Sequence, residues 1–144
     1  MDHKEFKNAF LRVLVPNGWL PFHGIDSDGK ETPKKLHIYK DATVETDIFT
    51  KAGITVCHYG KDQIYLSPKI FYDDARDLEP FDCGRRWEGY TCSSFGYPYI
   101  MLTSYEGEVT LQVMILTENG ENKICLTDPD VTLILESLTV LSDI

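Results

Sequence analysis

Val109-Thr110-Leu111-Gln112-Val113-Met114-Ile115-Leu116, running on through Thr117-Glu118 into Asn119-Gly120, is the stretch that decides the fold. Val109, Leu111, Val113 and Ile115 alternate with Thr110, Gln112, Met114 and Leu116. A strand carrying them has one wholly apolar face and one only partly apolar, because successive side chains point to opposite sides. Asn119-Gly120 is the strongest hairpin signal in the chain, since a type I′ turn needs positive φ at both central residues. Working outward, strands are expected over 86–92 and 97–104 before this stretch and over 123–126 after it, with 109–118 between them. Short turns join successive members, which makes a central antiparallel meander.

Toward the start of the chain, 10–15 reads as a strand stopped by Pro16-Asn17-Gly18, where Pro presets φ and Asn or Gly tolerates positive φ. Trp19 then re-enters the core. A polar loop is expected over 23–34, followed by strands over 36–39 and 54–59. Two helix starts are marked by Ser67-Pro68 and Asp128-Pro129, where a side-chain oxygen can cap free N–H groups and Pro fills the first helical position. After the second, Val131, Ile134, Leu135 and Leu138 fall on one helical face. After the first, Ile70, Phe71 and Leu78 are interspersed with Asp73, Asp74, Arg76 and Asp77, and Pro80 follows the end. Asp73 and Asp77 then share a solvated helix face. The expected fold class is α+β: an antiparallel sheet of about six or seven strands with helices near 67–79 and 129–138 covering its apolar face.

The 144 residues suit one domain over 1–144, and no internal repeat or linker divides them. A chain that is 42% hydrophobic and 26% charged can bury a core, unlike a disordered one. The net charge of −9, with no basic run, argues against nucleic acid and against anionic lipid as partners. No apolar run approaches the roughly 20 residues needed to span a bilayer. The opening segment, 1–7, alternates charge and lacks the apolar core of a secretory signal, so a cytoplasmic location is expected. Cys57, Cys83, Cys92 and Cys125 show no zinc or redox spacing and read as small buried hydrophobes. Cys83 and Cys92 are expected to stay unbonded. A strand over most of that span rises about 3.3 Å per residue, whereas a disulfide needs Cα atoms within about 7 Å.

In outline the chain resembles the superfamily of the photosystem II extrinsic protein PsbP and the Ran-GTPase-binding import factors. The resemblance is carried by a strand entering Val15-Pro16-Asn17-Gly18-Trp19, by the central meander, and by a closing helix that ends Ile134-Leu135-Glu136-Ser137-Leu138. It implies a sheet flanked by helices and a binding role, since members serve as photosystem subunits, GTPase-binding factors and secretion-effector chaperones. It implies no shared active site, so no functional residue carries over.

Candidate chemistry is sparse. Cys57-His58 places a thiol beside an imidazole, but neighbours on a strand point to opposite faces and cannot form a dyad. Asp26-Ser27-Asp28-Gly29-Lys30-Glu31 gathers three carboxylates around a glycine, yet the twelfth position of a Ca²⁺ loop starting at Asp26 is His37 rather than Glu. The sequence therefore assigns no metal, no cofactor and no catalytic residue. A small hydrolase or metal-assisted enzyme built on Cys57 or on the 26–31 loop is the rival to a non-catalytic domain. Seven of the eight tyrosines fall between Tyr59 and Tyr105, joined there by Trp87, Phe71, Phe81 and Phe95. Aromatic residues favour strands, and Tyr and Trp are also enriched at binding surfaces because they join apolar area to a polar handle. A protein or peptide partner is accordingly expected on the less apolar sheet face, through Trp87, Tyr90, Tyr97 and Tyr99.

Overall fold

The computed structural model describes residues 2–144, so that Met1 of the opening segment lies outside it. In chain order the elements begin with β1 (His3–Lys7), β2 (Leu11–Pro16), β3 (Trp19–Ile25), β4 (Glu31–Lys40) and β5 (Gly53–Tyr59). Two short strands follow, β6 (Arg76–Asp77) and β7 (Phe81–Asp82), then the long β8 (Arg86–Ser94), β9 (Tyr97–Glu106) and β10 (Val109–Leu116). The chain closes with β11 (Glu118–Asn119), β12 (Asn122–Lys123), α1 (Pro129–Ser137) and β13 (Thr139–Val140).

The large antiparallel sheet runs β3-β4-β5-β10-β9-β8-β6, with β7 also on β8, and a second sheet runs β1-β2-β13. β8, β9 and β10 form the expected meander. On its inner face Ile54 opposes Ile115, Val56 opposes Val113 and Leu102 opposes Val113 from the other side. Leu11, Val13 and Val15 of β2 and Val131, Ile134 and Leu135 of α1 join these residues in one buried cluster. The apolar face of β10 is thus covered by one helix and the three-stranded sheet. Two hydrogen bonds pin this layer: Trp19 Nε1 donates to Asp130 Oδ2 at 3.0 Å, and Leu14 N donates to Ser137 Oγ at 2.9 Å.

The α+β expectation with two main helices is overturned. Half of the residues are strand and 13% are helical, which makes the chain mostly β. The helix expected near 67–79 is a single 3₁₀ turn, Pro68–Phe71. Its start signals do form, as Ser67 Oγ accepts from Lys69 N at 3.4 Å, but Tyr72 at φ −110 and ψ 109 is already extended. A short helix needs an apolar stripe to bury, and Ile70 and Phe71 face outward here, 85% and 84% exposed. The strand edge of β8 supplies alternative partners: Arg76 and Asp77 pair with it, Leu78 N donates to Gly89 O, and Asp74 accepts from the Ser93 N–H and hydroxyl. Asp73 and Asp77 therefore share no helix face.

Smaller departures have local causes. The loop expected over 23–34 shrinks to 26–30, because β3 and β4 continue across a bulge between His23 and Gly24. The 119–120 hairpin turns one residue later, on Gly120-Glu121, with Asn119 opposite Asn122. Only its first central residue has positive φ, 60° at Gly120, as in a type II′ turn. Asn119 is held instead by its side-chain amide, which donates to the carbonyls of Phe49 and Lys51. Asp128 precedes α1 without capping it, since its carboxylate accepts from Cys125 N at 2.7 Å. All four cysteines are free, as expected for Cys83 and Cys92, but of the four only Cys92 is buried; Cys57 and Cys83 are half-buried and Cys125 is exposed. Among the described residues no helix is long and apolar enough to cross a membrane.

Candidate functional site

The outer face of the large sheet carries the residues that alternate with the core. Across β8 and β9, Glu88 opposes Thr103, Tyr90 opposes Met101, Cys92 opposes Tyr99 and Ser94 opposes Tyr97. Among the described residues no α-helix covers this face, though Ile48 of the short 3₁₀ helix Glu45–Phe49 packs on it with Tyr39, Leu116 and Tyr99. The extended connection between β5 and β6 runs over part of it, fastened by the bonds from Asp74 to Ser93 and by Gln112 Nε2, which donates to the Tyr65 hydroxyl at 3.3 Å. Ring contacts add to this, Tyr59 against Tyr65 at 5.1 Å and Tyr72 against Tyr90 at 6.3 Å.

Between this connection and the β8–β9 hairpin lies a cleft of about 510 Å³. That volume is within the usual range of ligand sites. Its aromatic lining is Tyr65, Tyr90 and Tyr105, its charged lining Lys69, Asp77, Glu79 and Glu88. Gly89 lies on the floor, where a Cβ would meet the carbonyl oxygen of Met101 at 1.9 Å, so only glycine lets β8 approach β9 this closely. Lys69 Nζ pairs with Asp77 and sits 5.8 Å from the centroid of the Tyr90 ring. Among the described residues Glu79 and Glu88 form no ion pair.

Tyr90 is the unusual member. It is 7% exposed, and its buried hydroxyl is poorly paired: it makes no hydrogen bond of good geometry among the described residues, with the Ser67 side chain as its near neighbour. Burial pushes its pKa up to about 12, so the hydroxyl stays protonated and keeps both a donor and an acceptor to offer. Apolar side chains surround the cleft's connection without being covered: Ile64, Leu66, Ile70 and Phe71 are each more than 80% exposed.

Of the four residues expected to meet a partner, Tyr90 lines the cleft. Tyr99 and Tyr97 follow along the outer face toward the tip of the hairpin, half-buried and exposed respectively. The tip itself holds Phe95 fully exposed at φ 51, a left-handed conformation rare for a bulky residue. Trp87, three residues before Tyr90 on the same strand, points to the other face, where it is fully buried and donates from Nε1 to Cys83 O at 3.0 Å. Alternation along β8 separates it from the other three. Tyr65 and Tyr105 belong to the tyrosine-rich span seen in the sequence. Lys69 has no signal in the sequence, since its place over Tyr90 depends on how the connection crosses the sheet.

Cys57 lies between Lys35 and Gln112 on the outer face, and His58 is on the inner face with Nε2 on Ser142 O. Burial raises the Cys57 pKa, which disfavours the thiolate that a nucleophile needs. In the 26–31 loop Asp26 Oδ1 accepts from the N–H groups of Asp28 and Lys30, so that carboxylate closes its own turn. Among the described residues no group of three or more His, Cys, Asp or Glu side chains is placed to hold a metal ion. Compared with known proteins, the chain matches no protein-family model and no curated protein.

Proposed function

We propose that the chain is a non-catalytic binding domain that takes a short segment of another protein in the cleft between the 60–75 connection and the β8–β9 hairpin. The observation that carries this is a cleft walled by Tyr65, Tyr90 and Tyr105, in which the Tyr90 hydroxyl is buried and poorly paired. A buried hydroxyl left without a good partner costs folding free energy of about 1–3 kcal/mol, and a ligand that reaches it recovers that cost. Ile64, Leu66, Ile70 and Phe71, exposed on the connection that bounds the cleft, offer a peptide apolar side chains that a compact small molecule would not use. The resemblance to PsbP-like domains, whose members include adaptors and chaperones, supports a role in binding.

Panning a library of random displayed peptides against the purified chain tests this. Clones that bind the wild type and lose affinity by about tenfold or more on Tyr105→Ala are expected, as aromatic anchors dominate interfaces. Tyr90→Phe, which keeps the ring, should weaken the same clones about fivefold through the lost hydrogen bond. A library that yields no binder, or binders indifferent to both substitutions, overturns the proposal.

A further inference from the structure

The charged groups of the cleft do not balance. Asp77, Glu79 and Glu88 line it against Lys69 alone, and Glu79 and Glu88 form no ion pair among the described residues. The ammonium of Lys69 lies over the ring of Tyr90 while pairing with Asp77, the position a bound cation takes on an aromatic face. We propose that the cleft receives a basic side chain of the partner segment, an arginine above all, and that Lys69 occupies its place in the free protein. This rests on the cleft being a peptide site, as proposed above, and adds what the peptide must carry.

Three observations support a cation exchanged for Lys69. The Lys69–Asp77 pair is solvent-exposed, with side chains 45% and 72% accessible, and exposed pairs of this kind hold weakly. A departing Lys69 leaves behind a ring face, three carboxylates and a poorly paired hydroxyl. An ammonium offers three donors from one point, whereas a guanidinium offers five in a planar fork that can stack on Tyr90 and meet a carboxylate together. The net charge of −9 over 144 residues adds a long-range attraction for a basic segment.

The test uses the full chain and three probes that differ only in the side chain: N-acetyl-arginine methylamide, its lysine counterpart and its norleucine counterpart. Binding is read from the ring resonances of Tyr90. The arginine probe should shift them saturably, the lysine probe more weakly, and norleucine not at all. Lys69→Met removes the internal competitor and should tighten the arginine probe at least threefold. The double change Glu79→Gln with Glu88→Gln should weaken it at least threefold. If norleucine binds as well as arginine, or Lys69→Met leaves the arginine affinity unchanged, the basic-residue inference fails. In that event panned peptides that still perturb Tyr90 leave the peptide site standing. If neither the panned peptides nor arginine perturb Tyr90, both fall together.

Discussion

At the scale of single residues, two polar side chains that depart from ordinary behaviour, Tyr90 and His37, lie on the outer face of the large sheet. Tyr90 carries a hydroxyl that folding removes from water and leaves poorly paired, with only the Ser67 side chain nearby. Tyr90→Phe should therefore raise the stability of the free chain by about 1 kcal/mol while weakening its binding, a trade expected where a site is kept ready at the expense of the fold. Chemical denaturation of the two proteins checks it, and a Tyr90→Phe variant that is clearly less stable would show that the hydroxyl is satisfied. His37 is shifted by burial, with Lys35 adding repulsion, from 6.5 down to about 4, and its Nδ1 lies 2.7 Å from Thr55 Oγ1. The unfolded chain then binds a proton more readily than the folded one. The contribution from His37 is whole above pH 6.5 and is lost as pH falls from 6.5 toward 4. His37→Gln should flatten the stability profile over that interval, measured by denaturation midpoints at successive pH values.

At the scale of elements, most long strands of the large sheet are legible in the sequence, while the short strands and the connections are not. Alternation of Val109, Leu111, Val113 and Ile115 identifies β10, and the i, i+3, i+4 spacing of Val131, Ile134 and Leu135 identifies α1, because each pattern matches a face that is in fact buried. Ser67-Pro68 failed as a helix start for a related reason. The capping signal is local, but continuation past one turn depends on burial that Ile70 and Phe71 do not obtain. β1 went unseen since its residues are largely exposed and mostly charged, and it exists by pairing Phe6 with Val13 and Glu5 with Leu14. The hairpin after β10 was read one residue early because Asn119-Gly120 fits a type I′ turn, while the amide of Asn119 is committed to Phe49 and Lys51. Gly120 at φ 60 has open space where a Cβ would stand, so an alanine there meets backbone strain and no clash. Gly120→Ala should cost about 1–2 kcal/mol for a left-handed residue. A thermal midpoint unchanged by the substitution would contradict the turn assignment.

At the scale of the whole molecule, a mostly β chain leaves one face of its large sheet without an α-helix among the described residues and lays an irregular connection over part of it. The tyrosine enrichment between Tyr59 and Tyr105 pointed to this region from sequence, because strands and binding surfaces draw on the same residues. It could not separate Trp87 from Tyr90 by face until the register of β8 against β9 was known, nor bring Lys69 and Asp77 to Tyr90 before the connection had been traced. The most direct test of the cleft as the binding site is a backbone amide NMR titration of the full chain with a panned peptide. The largest shifts should fall at Tyr65, Lys69, Asp77, Gly89, Tyr90 and Tyr105. Shifts confined to α1, to β1 and β2, or to the β3–β4 end of the sheet would contradict it.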